Sequence, residues 1–424
     1  MKHLLWIILL LSVQTIIAEV IFSSVDSLLA WAIPRSTCMQ SGTVKLSQAK
    51  QAKIAALLSI PEFSGTSKLS FTHNIDLPDT YVEAGLSTKS NTSMQKTFEV
   101  NLINLQGFNN VSQANLNRKI VELDNILSIK SLSENIAEIY YTIVNYIEQI
   151  ELSNANMLNA EIINAIAQSK FNEGLYRSQD LNKSRINCIN TQEMLLNYKK
   201  MLNHNYAVLK TFCEIPDSGS IRILHAIPDD SMMPQVAFAK PNALQITKAD
   251  LTEKLTQKNF EGVKFSKFPK LSIFYSMSKE QNNAEVKLYD PNLSWESRSS
   301  WGLNLKMQLP FISSDITQIS KARSDYFLAK KASEHEKIIV SNNCTKLNLD
   351  FEMVYSKYSA AKEVSILSTE NYTKDLDLYE KGIISLEDIL ASYRTMIENQ
   401  SNYISSKINL LYQETSIALN NKEN

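Results

Sequence analysis

The chain has 424 residues, 43 Lys and Arg against 44 Asp and Glu, a formal net charge of −1 and 44% hydrophobic residues. That balance leaves no electrostatic footprint for a nucleic-acid partner, so none is assigned. With only nine glycines and ten prolines, well under average usage, the chain favours long uninterrupted helices over a loop-rich fold.

In chain order, residues 1–18 read as a secretory signal: "MKH" is the positive end, "LLWIILLL" the apolar run and "TIIA" the approach to a cut after Ala18. An uncleaved anchor is the alternative, and without a Cys at the cut an N-terminal lipid anchor is not expected. Beyond Ala18 no apolar stretch approaches the ~20 residues of a membrane-spanning helix, so later membrane contact must use strands or a surface. Cys38, Cys188, Cys213 and Cys344 are too few and scattered for a disulfide scaffold. Free or buried thiols are the default, and a pair in an oxidising compartment stays open.

Two copies of one unit follow, offset by 208 residues. Pro61 matches Pro269, Phe171 matches Tyr379, Gly174 matches Gly382 and Asp180 matches Asp388; Ser184, Gln192, Lys199 and Leu202 recur as Ser392, Gln400, Lys407 and Leu410. A register held over such a span marks a duplication. Repeat 1 is placed at 19–213, a Pro- and Gly-bearing linker at 214–241 and repeat 2 at 242–424.

Each repeat opens with a helical lead-in (40–58 and 242–264) and continues into a β-like stretch (67–106 and 268–311). A very long helix (about 111–168 and 315–376) then reaches a glycine-containing turn, and a second helix (about 180–212 and 386–420) leaves it. Leu132, Ile136, Ile139, Ile143, Ile147 and Ile150 step by three and four, and Leu181, Cys188, Leu195, Leu202 and Leu209 recur every seven residues. These are coiled-coil seams, and at 1.5 Å per residue the long helices would reach ~80–90 Å.

The β stretches alternate instead. In "WGLNLKMQLPF" the residues Trp301, Leu303, Leu305, Met307 and Leu309 share one face, expected to point outward to lipid if the strand belongs to a barrel, and "LSIFYSM" alternates in the same way. Segments of ~9–11 alternating residues match a tilted membrane-spanning strand, although a strand of a soluble sandwich reads similarly. Two hairpins per chain cannot close a barrel, and an open sheet edge cannot face lipid, so a membrane role implies a homo-oligomer.

The signal, the two repeats of hairpin plus long helices, and "[FY]-x-x-G-x5-D-[LI]" at both turns resemble the TolC-like outer-membrane efflux protein family. "FPKLS" (268–272) resembles that family's entry into its barrel and "WGLNLKMQLPF" its returning strand, with Leu309 set between Gln308 and Pro310 as a departure. The resemblance spans nearly all of the mature chain and is weakest over 72–97. It implies a mainly α fold with a β-barrel contribution: a homotrimer with a twelve-strand barrel in outer-membrane lipid and an α-helical tunnel across a Gram-negative periplasm. It further implies a passive exit duct of a tripartite efflux or type I secretion system, working with a periplasmic adaptor protein and an inner-membrane pump.

For the turns, the resemblance implies a periplasmic tip. Gly174 and Gly382 become hinges between tunnel helices. Asp388 becomes a carboxylate at the pore constriction, with Glu387 beside it as a second candidate, and Asp180 and Tyr379 become a latch. Three aspartates around an axis would attract cations and raise one another's pKa. A purely local reading stands beside this one: glycine tolerates positive φ at a helix end, and Ser385 and Asp388 suit the N-cap and N3 positions of the next helix. Asp180 has the same local reading. Ile384 and Ala391 occupy positions where some relatives carry a basic and an acidic residue, so fewer polar links are expected to hold the tip closed.

Against an enzyme, the five histidines are dispersed, and the sequence has no phosphate loop, nucleophile elbow or metal-spaced cluster. No catalytic residue, cofactor or metal is assigned, and Met232–Met233 read as linker or packing methionines. The alternative outside the channel class is a periplasmic coiled-coil structural or adaptor protein without a membrane barrel. An adaptor would show one helical hairpin with Gly-richer β domains.

Overall fold

The computed structural model describes residues 20–75, 88–216, 219–224, 227–230, 233–234, 238–306 and 313–422. Its elements are β1 (Val20–Phe22), α1 (Val25–Ala32), α2 (Thr37–Leu58), β2 (Phe63–His73), β3 (Ser90–Ile103), α3 (Leu105–Asn172) and α4 (Ser178–Phe212). After these come β4 (Ile221–Ile223), α5 (Ala243–Phe265), β5 (Lys270–Asn283), β6 (Glu296–Lys306), α6 (Ser313–Glu380) and α7 (Leu386–Asn421). The duplication is visible residue by residue: α3 and α6 are both 68 residues long, and their first and last residues differ by the same 208 positions. Among the described residues no helix is long and apolar enough to cross a membrane.

The chain divides into two compact units, each built from both repeats. One holds the chain up to Thr43, Asp124–Ile246 and Lys337 onward; the other holds Val44–Leu123 and Thr247–Glu336.

The second unit carries a four-stranded antiparallel sheet in the order β2-β3-β5-β6, with β2 and β6 at its edges. The first hairpin, weakly patterned in sequence over 72–97, pairs from Phe63↔Val100 to His73↔Ser90, matching the eleven pairs of the second hairpin. Over its first rows the register sorts the side chains by polarity, while two later rows of the apolar face carry Lys96 and Lys279. Phe63, Val100, Ile273 and Leu303 stand in one row, and Phe98, Tyr275 and Trp301 stand in the next row of the same face. The opposite face carries Ser70 bonded to Ser93 at 2.7 Å, Gln95 to Ser276 at 3.0 Å, and Ser272 to Glu99. The sequence-predicted outward residues Trp301, Leu303 and Leu305 are exposed, Trp301 by 74%; Met307 and Leu309 lie outside the described residues. A soluble sheet would bury that apolar face, because exposing it to water forfeits about 25 cal/mol per Å².

At the base of the same unit, Lys267 meets Asp315 at 2.6 Å with both side chains nearly buried, tying the exit of α5 to the start of α6.

In the first unit the main core gathers Leu28, Leu29 and Ala32 of α1, Ile136, Tyr140, Ile143 and Val144 of α3, Leu209 of α4, and Ile408, Leu410 and Ile417 of α7. Residues 214–241, read above as a linker, contribute β4, which pairs in parallel with β1, and the buried Ile221, Ile223, Met233 and Ala239. Asp230 pins this segment to two helices, meeting Lys407 at 2.8 Å, Lys362 at 3.0 Å and the Tyr403 hydroxyl at 2.7 Å. Burial alone would raise its pKa. The donors from Lys407, Tyr403 and Lys362 outweigh that and hold the carboxyl well below its usual range.

Candidate functional site

Both helical turns lie in the first unit, and both are built by one backbone recipe. At the end of α3 the Leu175 N–H donates to the Lys170 carbonyl and the Gly174 N–H to the Phe171 carbonyl, each at 2.9 Å. At the end of α6 the Ile383 N–H reaches the Leu378 carbonyl at 2.9 Å and the Gly382 N–H the Tyr379 carbonyl at 3.0 Å. This paired closure requires a left-handed residue, and Gly174 and Gly382 sit at φ +77° and +75°. A Cβ at either position would meet nothing within 4 Å, so backbone conformation alone selects glycine there.

The next helix is then capped. Before α7, the Asp388 N–H donates to Ser385 Oγ at 3.2 Å, while Asp388 Oδ2 accepts from the Ser385 N–H at 3.1 Å and from its hydroxyl at 2.6 Å. These bonds from Ser385 hold the Asp388 carboxyl below its ordinary range. The self-repulsion foreseen for a ring of aspartates acts in the opposite direction. Before α4 the cap is Arg177, and among the described residues the Asp180 carboxylate accepts only the Arg177 N–H, at 3.3 Å. Glu387 is exposed and meets Lys183 of α4 at 3.4 Å. An exposed pair of this kind contributes little.

Beneath the turns lies a second apolar cluster: Ala160, Ile163 and Ala167 of α3, Tyr372 and Tyr379 of α6, and Leu386, Ile389, Tyr393 and Met396 of α7. The Tyr393 hydroxyl donates to the Asn156 carbonyl at 2.6 Å, joining α7 to α3. Tyr379 is fully buried, and its hydroxyl has no hydrogen-bond partner among the described residues. Burial, then the neighbouring Tyr176 and Asp180, push its phenol well above the ordinary value. Tyr379 and Asp180 are therefore neighbours, but within the chain they do not form a phenol–carboxylate bond.

The link that does form uses a residue not singled out from sequence. Lys170 Nζ donates to the Tyr379 carbonyl and lies 4.1 Å from the centre of the Tyr379 ring and 5.7 Å from that of Tyr176. Burial lowers its pKa, opposed by Glu173. In the repeat register Lys170 matches Leu378, and that mismatch inside a well-matched motif was the available signal. Each turn also leaves one large aliphatic side chain in the open, Leu175 and Ile383, 69% and 67% exposed.

No protein-family model matches the sequence, and no curated protein matches it. Solved structures do match. The outer membrane protein VceC from Vibrio cholerae shares the fold at a TM-score of 0.75 and 13% identity, over 93% of this chain and 95% of that one. The Campylobacter jejuni CmeC outer membrane channel does so at 0.76 and 14%, over 93% and 85%. The open state of the Neisseria gonorrhoeae MtrE outer membrane channel aligns at 0.70 and 12%, over 93% and 88%. The protein thus has the fold of the TolC-like outer-membrane channels, mainly α with a β-sheet part and built as two structural repeats.

Proposed function

We propose that three copies of this chain form a passive outer-membrane exit channel. Its periplasmic end would be opened by docking of an adaptor protein that links it to an inner-membrane pump. The observation that carries this reading is the sheet, apolar on one exposed face, polar on the other and unpaired at both edges. Three such sheets joined edge to edge make a closed twelve-strand wall with lipid outside and water inside, which satisfies every edge. Exposed apolar side chains on the helices support assembly: Ile186, Ile189 and Leu196 line one flank of α4, and Leu349, Met353, Val364 and Leu367 line one flank of α6. Steps of three, four, seven and eleven residues keep each set on one side of its helix, a seam in search of a partner helix.

Within that assembly, Gly174 and Gly382 serve as the hinge turns, and Asp388 rings the constriction with Glu387 at its margin. Tyr379 and Asp180, neighbours that do not bond in the single chain, are assigned to the latch, with Tyr379 packed beneath the turn and Asp180 free to meet a second protomer. Lys170, seated on Tyr379, supplies the basic link that Ile384 does not.

Envelope fractionation combined with gel migration of unboiled samples tests the reading. The expected result is a heat-sensitive trimer in the outer-membrane fraction. A soluble periplasmic monomer would overturn it and favour the coiled-coil structural alternative.

A further inference from the structure

The apolar face of the sheet does not run to its end. Beyond Phe98, Tyr275 and Trp301 two rows mix Met277, Leu69 and Met94 with Lys96, Lys279 and serines, and the last rows of the same face pair four polar side chains, Thr92 with Gln281 and Ser90 with Asn283. All four are buried. What covers them is the segment 284–295 between β5 and β6, which folds back over this face. Ser90 Oγ donates to the Glu285 carbonyl at 2.7 Å and accepts the Lys287 N–H at 3.1 Å, while Thr92 donates to the Leu288 carbonyl. Gln281 donates to the carbonyls of Asp290 and Leu293 at 2.6 and 2.8 Å and accepts the Asp290 N–H at 2.8 Å. Asn283 donates to the Lys287 carbonyl at 3.1 Å.

With its backbone spent on those strand side chains, the segment leaves Val286, Leu288, Tyr289, Leu293 and Trp295 exposed. Tyr289 and Trp295 stack at 6.4 Å between centroids, 22° from parallel. Beside them the ion pair of Glu285 and Lys287 is also exposed, so the segment shows an apolar and aromatic set next to a charged one, as a segment at a membrane interface does. Position supplies the occupant. The two rows before the covered ones mix Met277, Leu69 and Met94 with the exposed Lys96 and Lys279. That mixture suits the edge of a barrel's apolar band, where long basic side chains reach toward the headgroups and aromatic residues gather.

We infer that residues 284–295 form a membrane-interface flap, lying against the outside of the barrel and inserting Tyr289 and Trp295 at the headgroup–acyl boundary of the outer leaflet. This inference rests on the barrel reading above, and the test separates the two. The four tryptophans are Trp6, Trp31, Trp295 and Trp301. Full-length protein is prepared with Phe replacing Trp6, Trp31 and either Trp301 or Trp295, so that one reporter remains. Each variant is reconstituted in phosphatidylcholine vesicles brominated near the headgroup or near the chain ends, with aqueous iodide as the opposing quencher. Trp295 emission is expected to be largely lost in shallow-brominated vesicles and little affected by iodide. Loss to iodide with none to bromolipid overturns the flap, provided Trp301 is still quenched by bromolipid. If neither reporter responds to bromolipid, the barrel reading fails and the flap falls with it.

Discussion

The turn at 173–177 and the turn at 381–385 share one backbone and differ in what lies beneath it. Both close with the same pair of hydrogen bonds and the same left-handed glycine. The matched aromatic residues, however, are Phe171, 37% exposed, and Tyr379, fully buried. The caps differ too: Ser385 and Asp388 complete a reciprocal box, whereas Arg177 offers only its backbone N–H. Duplication thus fixed the chain path at both turns, while packing was concentrated on one. The second turn sits over the cluster formed by α3, α6 and α7, and the first is held to it by Lys170 and by the partly buried Tyr176 packed against it.

The largest test of this asymmetry removes the aromatic residues. Tyr379→Ala should cost about 3–5 kcal/mol as a cavity beneath the second turn. Phe171→Ala should stay within about 1 kcal/mol, as a half-exposed site does. Native-state hydrogen exchange of the amides flanking each turn would read both. Equal losses would erase the distinction. Tyr379→Phe should leave exchange near that of the parent, since the hydroxyl has no hydrogen-bond partner among the described residues; a clear loss of protection would show that the buried hydroxyl makes a bond there.

Next come the glycines, where the comparison predicts equality. Gly174→Ala and Gly382→Ala should each cost roughly 1–2 kcal/mol for a left-handed L-residue, because neither Cβ would meet an obstacle. Asn at either site should recover part of that loss. A markedly larger penalty at one turn, again by hydrogen exchange, would reveal a restraint on its backbone beyond the local closure.

The caps should part the turns again, by less. Ser385→Ala should cost about 1 kcal/mol of helix-start stability. Arg177→Ala should change it by no more than a few tenths of that, since its side chain caps nothing. The Asp388 carboxyl is held below its ordinary range. Its contribution is therefore full above the unfolded carboxylate pKa of about 4 and fades as pH falls through the lower folded value. Amide exchange at the start of α7 should rise over that acid window.

How much of this was legible beforehand depended on whether the cause was local. Glycine at a helix end, Ser and Asp three residues apart, and two-residue alternation are short-range signals; they located both turns, the α7 cap and the shared exposed face of Trp301, Leu303 and Leu305. The offset of 208 carried those readings from one copy to the other and gave the long helices. Their ends were read about four residues short, at 168 and 376, because apolar periodicity fades before the helix does. Packing was not legible. Nothing local distinguishes Phe171 from Tyr379 as exposed or buried, and nothing marks Lys170 as the group seated on Tyr379. Residues 214–241 look like a linker because Pro and Gly punctuate them, although β4 and Asp230 bind the segment to distant helices. The first hairpin hid for a related reason: its polar face and covered outer end dilute the alternation that betrayed β5 and β6.

The smallest effect on stability, and the most telling for function, concerns Asp388 itself. Its carboxylate has two possible duties, closing the box on Ser385 and presenting charge to permeating ions, and one pair of substitutions separates them. Asp388→Asn keeps an oxygen acceptor for the Ser385 N–H and removes the charge; Ser385→Ala loosens the cap and keeps it. If the three aspartates ring the constriction, Asp388→Asn should weaken block by multivalent cations in planar bilayers, with a loss of exchange protection at the start of α7 no larger than acidification of the parent produces. Ser385→Ala should do the reverse, fraying α7 with cation block retained. Asp180→Asn serves as the control, since the first turn is not assigned to the constriction. Equal weakening by Asp180→Asn and Asp388→Asn would mean that both turns face the pore. Unchanged block in Asp388→Asn would confine that carboxylate to capping the helix.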